Sequence, residues 1–590
     1  MTNPALQELD EERQLLARVV DEHAATRPRH PFLYYGEDDV TISYEEFVSR
    51  ADAIAGNLAA AGVRKGDRIS VFLFNPMVTT IWMFAIWRAG AVYCPVNFSY
   101  QGRLLAYQLN DTRPRLVVTE RALVGRLVDV ADTLEVAPEL VVYDAPEGAH
   151  DHVDENERSP VDGYAVLPYE ELTVPAAAPD VNLRLQDPAN VIYTSGTTGP
   201  AKGVLQPHRW INQYTIMSRR LTRPDDIVYS DLPMYHVGGA YANLGRGAWV
   251  GCTIALWDRF SPNDFWWRIR TSGASSAILL DVMIPWLMSA PPSDADRDHS
   301  LRRVHMQPLP RHHHEVASRF GFEVVTVGFG QTESGALASA LIDEQPEGGG
   351  ARGVARGASL DELRSIAEEA GVPVIPASAA TRKGLMGRAT PHMEIAILDD
   401  ADEICPPEQP GHFAMRPRLA HLLMHEYLNK PEATVEAWRN LWFHTGDSAV
   451  IGDDGMLYFI DRLGDRLRVR GENLSSFQVD DEVGQHPEVE MCAAFGVPSD
   501  EGDEDSIVVC YVATAGSSLE PDELDRWCRE TMPRFMRPRF LRRLDELAFT
   551  RPAGVLRRRA LLRRVRPRSR IRGRGRPDRR RSRRRVRRPV

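Results

Sequence analysis

The chain has 590 residues, 43% of them hydrophobic, and a formal net charge of −11. That length exceeds one ordinary domain and allows a large core. The composition argues against a membrane span, a secreted leader and a disulfide scaffold. The most apolar run, residues 71–87, contains Asn75 and Pro76 and is shorter than the ~20 residues a span requires. The N-terminus is acidic and has no long apolar stretch, so it does not read as a signal peptide. Cys94, Cys252, Cys405, Cys492, Cys510 and Cys528 are scattered without a Cys-x-x-Cys pair, which suits a reducing cytoplasm.

In chain order, residues 44–61 place Phe47, Ala51, Ile54 and Leu58 at helical spacing, with Gly62 as a stop. "RISVFLF" follows as a strand, then a helix after Pro76, a short strand at "AVYCPV", a helix at "RLLAYQLNDTRP" and a strand at "RLVVTE". This alternation predicts an α/β fold, a large N-terminal domain of mainly parallel sheets with flanking helices. Such sheets bind ligands in loops beyond the carboxyl ends of their strands. "NVIYTSGTTG" fits that placement, because the apolar residues 191–193 run straight into a polar loop. Residues 344–384 interrupt the pattern. The Gly-rich "EGGGARGVARG" is followed by Ser359 and Glu362 at capping-box spacing and a helix over "LDELRSIAEEAG", which reads as an insertion elaborating the surface. "RHHHE", residues 311–315, tempts toward a metal site. Consecutive histidines do not share one helix face, so a solvated segment is expected.

The loop Thr194, Ser195, Gly196, Thr197, Thr198, Gly199 is rich in small donors and is followed by Lys202. Glycines turn backbone N–H groups toward a ligand without a Cβ in the way, hydroxyls add donors, and the lysine adds a mobile positive charge. Together they suit a polyphosphate. A Walker A loop would need Gly-Lys-Ser/Thr, whereas Ala201 and Gly203 flank this lysine. By composition alone a flexible surface turn explains the loop equally well.

The motifs that follow decide between them. "LPMYHVGG" (232–239), "FGQTES" (329–334), "WFHTGD" (442–447) and "IDRLGDRLRVRGENLSS" (460–476) stand in order after "YTSGTTGPAKGV". Together they resemble the AMP-forming adenylating superfamily of acyl-CoA synthetases, peptide-synthetase adenylation domains and luciferases. The resemblance runs from about residue 20 to about residue 550, and is nearest to the crotonobetaine/carnitine-CoA ligase-like branch and to medium-chain acyl-CoA synthetases. It implies an N-terminal AMP-binding domain over residues 1–460, a small α+β C-terminal domain over 461–550 on a hinge, and a cytoplasmic acid–thiol ligase. Such an enzyme uses ATP and Mg²⁺ to convert a carboxylic acid to its acyl-adenylate and passes the acyl group to coenzyme A.

By the same resemblance, the glycine/hydroxyl loop and Lys202 hold the β- and γ-phosphates and Thr332, next to Gln331 at the nucleotide, donates to the α-phosphate. Glu333 ligates Mg²⁺, and Asp447 and Arg462 contact the ribose. Lys202, Thr332, Glu333 and Arg462 are thus the catalytic set. His236 lines the acyl pocket, Gly464 is the hinge, and Arg470, Gly471 and Glu472 approach coenzyme A. Phe329 replaces a family Tyr, and "VHMQPLP" (304–310) departs from the family's Gly-Ala-Ala-Pro-like stretch. No carrier-protein domain is evident, which favours free coenzyme A.

One family element is missing. The C-terminal domain of the family ends in Pro-x-Thr-x-x-Gly-Lys, whose lysine bridges carboxylate and phosphate during adenylation. Here "LDELAFTRPAGVLRRR" stands in its place, and Lys430 is the last lysine of the chain. The final 40 residues hold 20 Arg, no Lys and a single Asp. They carry +19, which leaves about −30 on the rest. A reading-frame shift in a GC-rich gene, an error in the sequence and an evolved basic tail each account for so abrupt a change. The tail is expected to be disordered. Its lack of aromatic residues argues against specific nucleic-acid binding. Three functions fit: an acyl-CoA ligase with impaired adenylation, an adenylating enzyme that loads a carrier protein, and a non-catalytic nucleotide- or acyl-binding homologue.

Overall fold

The computed structural model describes residues 4–11, 14–194, 201–462, 466–469, 472–498, 505–532, 536–547, 549–550 and 555–556. The chain divides into two compact units, one within Met1–Gly464 and one from Asp465 onward.

Two sheets organise the large unit. The 7-stranded sheet runs in the order Glu426–Tyr427, Lys202–Pro207, Pro188–Thr194, Val92–Pro95, Arg68–Phe72, Leu116–Glu120, Glu139–Tyr143. Its strands are parallel as far as Pro188–Thr194, and the two at the other edge pair antiparallel. The helices covering it are set by local chemistry. Ser43 and Glu46 form a reciprocal capping box at the start of Tyr44–Ala60. Asn75 accepts from the N–H groups of Met77 and Val78 to open Pro76–Arg88, with proline at its first turn. That helix is buried almost all round, which explains the apolar run noted in the sequence: it is a core helix. Among the described residues no helix is long and apolar enough to cross a membrane.

The 14-stranded sheet has two halves of different character. Pro31–Tyr35, Thr253–Leu256, Ile227–Ser230, Ser276–Leu280, Arg303–Gln307 and Val324–Gln331 are parallel neighbours. From Gly335 onward the main pairings are antiparallel, through Gly335–Asp343, Leu385–Ala389, Leu457–Arg462, Phe443–Ile451, Gly411–Pro417 and Met393–Leu398. The change follows from the turn at residues 332–334. A connection that short can only reverse the chain into an antiparallel partner, since parallel strands need a long crossover.

Residues 344–384 supply a helix and a short strand beside this sheet. Helix Leu360–Glu369 has the capping box expected at Ser359 and Glu362 and buries Leu363 and Ala367 in the core. Strand Val374–Pro376 then pairs parallel with Gly335–Asp343. The glycine-rich run touches backbone directly: a Cβ on Gly353 would stand 2.5 Å from the carbonyl carbon of His299.

The expectation of a solvated histidine run is corrected. His313 is buried, not solvated, and its Nδ1 lies 2.6 Å from Oε1 of the buried Glu344. Nδ1 of His314 lies 3.0 Å from the other oxygen of the same carboxylate. The carboxylate arrives from just beyond a neighbouring strand, a partner that helical periodicity within the run does not contain.

The small unit is α+β. Val489–Pro498 pairs antiparallel with Asp505–Ala513, which pairs parallel with Phe540–Arg543. Helices Ser476–Val483 and Pro521–Thr531 accompany this sheet, and Val479, Val483, Leu524 and Cys528 share a core with Ile507, Val509 and Tyr511.

Candidate active site

Two antiparallel strands flank the glycine- and hydroxyl-rich run. Val191 and Ile192 are fully buried and anchor Pro188–Thr194. Thr194 stands opposite Lys202 where the return strand begins, and its hydroxyl lies 3.5 Å from the Lys202 carbonyl oxygen. Ser195, Gly196, Thr197, Thr198 and Gly199 lie outside the described residues. Lys202 therefore starts a strand that runs back antiparallel.

Tyr427 links this hairpin to the next motif, and nothing in the sequence marked it. It pairs with Val204 from the two-residue strand Glu426–Tyr427. The Lys202 Nζ lies 4.5 Å from the centroid of its ring, within cation–π range. Its hydroxyl donates to Glu333 Oε1 at 3.0 Å. Burial, reinforced by the Glu333 carboxylate, pushes the phenol far above its ordinary pKa, so it remains a donor. Lys202 and Glu333, 131 positions apart in the sequence, thus meet across one aromatic ring.

Thr332 and Glu333 occupy the tight turn between Val324–Gln331 and Gly335–Asp343. The turn is clamped from outside. Gln206 Nε2 donates to the Thr332 carbonyl at 2.7 Å, and the Met424 N–H donates to the Glu333 carbonyl at 2.8 Å. Gly335 closes the turn at φ 72°, and a Cβ there would lie 1.7 Å from Oε1 of the fully buried Gln213. Gly335→Ala is therefore expected to cost ~2 kcal/mol or more in denaturant unfolding, since left-handed strain and overlap with a fixed side chain combine. An unfolding free energy unchanged within error would show that the turn relaxes freely. Phe329 packs its ring against Phe413, with centroids 4.8 Å apart.

Asp447 reaches the same place from strand Phe443–Ile451. It is buried, and Gln331 Nε2 donates to its Oδ2 at 2.6 Å and to the Thr445 carbonyl at 3.1 Å. Arg462 stands opposite Asp447 in the ladder. Lys202, Tyr427, Glu333, Thr332, Gln331 and Asp447 thus form a continuous run of contacts in the large unit. Gly464, Arg470 and Gly471 lie outside the described residues, and Glu472 belongs to strand Glu472–Ser475 of the small unit.

His236 lies just ahead of the π-helix Gly238–Gly245 and packs against Tyr235, with ring centroids 5.1 Å apart. Its surroundings hold the imidazole pKa down to about 4. At neutral pH the ring is uncharged.

Comparison with known proteins gives this arrangement its class. The AMP-binding enzyme family matches residues 20–428, and the AMP-binding enzyme C-terminal domain matches residues 478–553. The chain belongs to this family and is an enzyme of the AMP-forming acid–thiol ligase class, whose chemistry is ATP-dependent adenylation of an acid followed by acyl transfer to coenzyme A. Among curated proteins, it is 26% identical to the crotonobetaine/carnitine–CoA ligase of Citrobacter koseri over 515 residues, covering 86% of this chain and 90% of that protein. Among solved structures, ATP-bound MatB from Rhodopseudomonas palustris superposes with a TM-score of 0.74 at 21% identity, covering 93% of this chain and 98% of that one. The o-succinylbenzoate CoA synthetase of Bacillus subtilis superposes with a TM-score of 0.70 at 21% identity, covering 92% and 97%.

Proposed function

We propose that this chain activates a small-molecule carboxylic acid with ATP and transfers the acyl group to free coenzyme A in the cytoplasm, with adenylation weakened by the loss of the C-terminal lysine. The observation that carries this reading is the contact run from Lys202 through Tyr427 to Glu333 and on to Gln331 and Asp447. A carboxylate must approach a polyphosphate, so two anions meet. Positioned cations and donors supply the stabilisation.

In this reading Lys202 and the preceding loop orient the β- and γ-phosphates, while Thr332 donates to the α-phosphate. Asp447, held by Gln331, accepts from the ribose hydroxyls beside Arg462. Glu333 offers one half-buried carboxylate fixed by Tyr427. That suits Mg²⁺, which takes one or two carboxylates and completes its shell with phosphate oxygens. When bound, the ion would neutralise phosphate charge next to the point of attack. His236 borders the acyl group as a neutral ring, Gly464 pivots the small domain, and the segment of Arg470, Gly471 and Glu472 faces coenzyme A.

The test is a coenzyme A ligation screen over carboxylic acids, read by AMP release and run in parallel with synthetic acyl-adenylates. Thioester formed from the adenylates, with slower formation from acid and ATP, is the expected result. No thioester from either route with any acid would reject the ligase reading. Transfer to a phosphopantetheinylated carrier protein but not to coenzyme A would replace the acceptor.

A further inference from the structure

A second group of ligating side chains shares no residue with the candidate active site. It lies beyond the carboxyl ends of strands from both sheets. Asp38 follows Pro31–Tyr35 and Asp258 follows Thr253–Leu256, which are parallel neighbours in the 14-stranded sheet. His150 and Asp151 follow Glu139–Tyr143, and Asn75 follows Arg68–Phe72, both strands of the 7-stranded sheet. Loops in this position are where α/β sheets hold ligands.

His150 stands between three carboxylates. Its Nδ1 lies 3.1 and 3.2 Å from the two oxygens of Asp38 and 3.9 Å from Asp151 Oδ1. Ligand atoms of Asp38, His150 and Asp151 all lie within 4.8 Å of one another. Its Nε2 lies 2.9 Å from Oδ2 of the buried Asp258, whose Oδ1 accepts from the Tyr35 hydroxyl at 2.6 Å. A neutral imidazole carries one N–H. With Nε2–H donating to Asp258, the Nδ1 lone pair points at carboxylate oxygens, which is repulsive unless a cation stands between them. A proton on Nδ1 serves Asp38 but leaves Asp151 Oδ1 aside. That oxygen is shielded from solvent and accepts no hydrogen bond, although Asn75 Nδ2 donates to Oδ2 of the same carboxylate at 3.0 Å. A buried acceptor left unpaired is costly. Among the described residues no lysine or arginine pairs with Asp38, Asp151 or Asp258; His150 is their ion-pair partner.

We propose that Asp38, His150 Nδ1 and Asp151 Oδ1 bind one Zn²⁺, with Asp258 orienting the imidazole, and that the ion ties the loop after Glu139–Tyr143 to the turn after Pro31–Tyr35 and so one sheet to the other. One imidazole with two carboxylates suits zinc, whereas Mg²⁺ and Ca²⁺ favour oxygen alone. Bonds of about 2.0–2.1 Å in a tetrahedron place ligand atoms roughly 3.3 Å apart, close to the spacing of Nδ1 from Asp38, and a water completes the fourth position. A carboxylate on the far nitrogen of a ligating histidine fixes its tautomer and strengthens its basicity, which is the part Asp258 plays. The same backbone already joins loop and turn, since the His150 N–H donates to Asp38 Oδ1 at 2.8 Å. This site is independent of the ligase reading and of the Mg²⁺ assigned to Glu333.

The full chain, stripped with a chelator and kept free of nucleotide, is titrated with Zn²⁺ by calorimetry and dialysed for metal analysis. It is expected to hold one Zn²⁺ more than a chain carrying both His150→Gln and Asp151→Asn, and to keep it in an excess of Mg²⁺. Asp258→Asn should weaken that binding by about 10–100-fold, the usual cost of losing the carboxylate behind a ligating histidine. The zinc-loaded chain should melt higher than the stripped one, because the ion binds only the folded state. A second readout needs no variant: carbethoxylation of His150, mapped by peptide mass spectrometry, should be blocked by Zn²⁺. The proposal is overturned if the unaltered chain takes up no more Zn²⁺ than the double variant, if Mg²⁺ displaces the ion, or if His150 stays reactive at saturating Zn²⁺. Should the double variant melt early, the protection of His150 decides.

Discussion

Rebuilding the end of the chain after Thr550 as a Thr-Gly-Lys-type ending is expected to raise ATP-dependent ligation by roughly 10²–10³-fold, the scale of one well-placed charge-stabilising group. The reason is electrostatic. The large unit holds Lys202 against Tyr427; in the proposed reading that lysine serves the phosphates, which leaves the attacking carboxylate without a compact cation of its own. Only four lysines occur in the chain: Lys65, Lys202, Lys383 and Lys430. Lys65 is paired with Asp187, and Lys430 with Asp111. Arg557 and Arg558 are near the expected position in sequence, yet a planar guanidinium does not replace an ammonium at a single point of contact. Ligation from a supplied acyl-adenylate should be unchanged by the rebuilding, because the family's second half-reaction does not use that lysine. The comparison is therefore of two rates in two chains. Equal ATP-dependent rates in both would mean that an arginine already serves.

Glu333→Gln, made in the rebuilt chain, is expected to lower carboxylate-dependent pyrophosphate exchange by about 10²-fold or more, with a melting temperature within a few degrees of its parent. The amide still accepts from Tyr427, and the turn is held through the backbone by Gln206 and Met424, so the fold keeps its contacts while the charge is lost. Tyr427→Phe separates position from charge. It leaves the carboxylate but removes one hydrogen bond, a loss of about 1 kcal/mol, and the exchange rate should fall about tenfold or less. A Glu333→Gln chain that melts early, with full specific activity in its folded fraction, would make the acid structural.

Much of the frame was legible from residue order alone. The Ser359 cap acts within a few positions of itself, and that helix and those read over residues 44–61 and after Pro76 are present. The parallel strands of the first half follow from alternation with helices. The motif order supported the family before any contact was known. The antiparallel half after Gly335 was not foreseen. Short hairpins in mixed polar and apolar sequence carry a weak periodic signal, and a strand of two residues such as Glu426–Tyr427 carries none.

The difference lies in the range of the interactions. Helix caps, turn glycines and apolar periods are local, so the amino-acid sequence by itself determined them, and with them the alternating elements and the identities of Lys202, Thr332, Glu333 and Asp447 as candidates. Which groups meet was decided only by tertiary structure. Tyr427 lies between Lys202 and Glu333 because its short strand adds to the edge of the 7-stranded sheet. His313 and His314 share Glu344 because that carboxylate comes from some 30 positions further along the chain. Each depends on chain segments far apart in sequence, whose pairing is set by how the sheets close and not by any residue's neighbours.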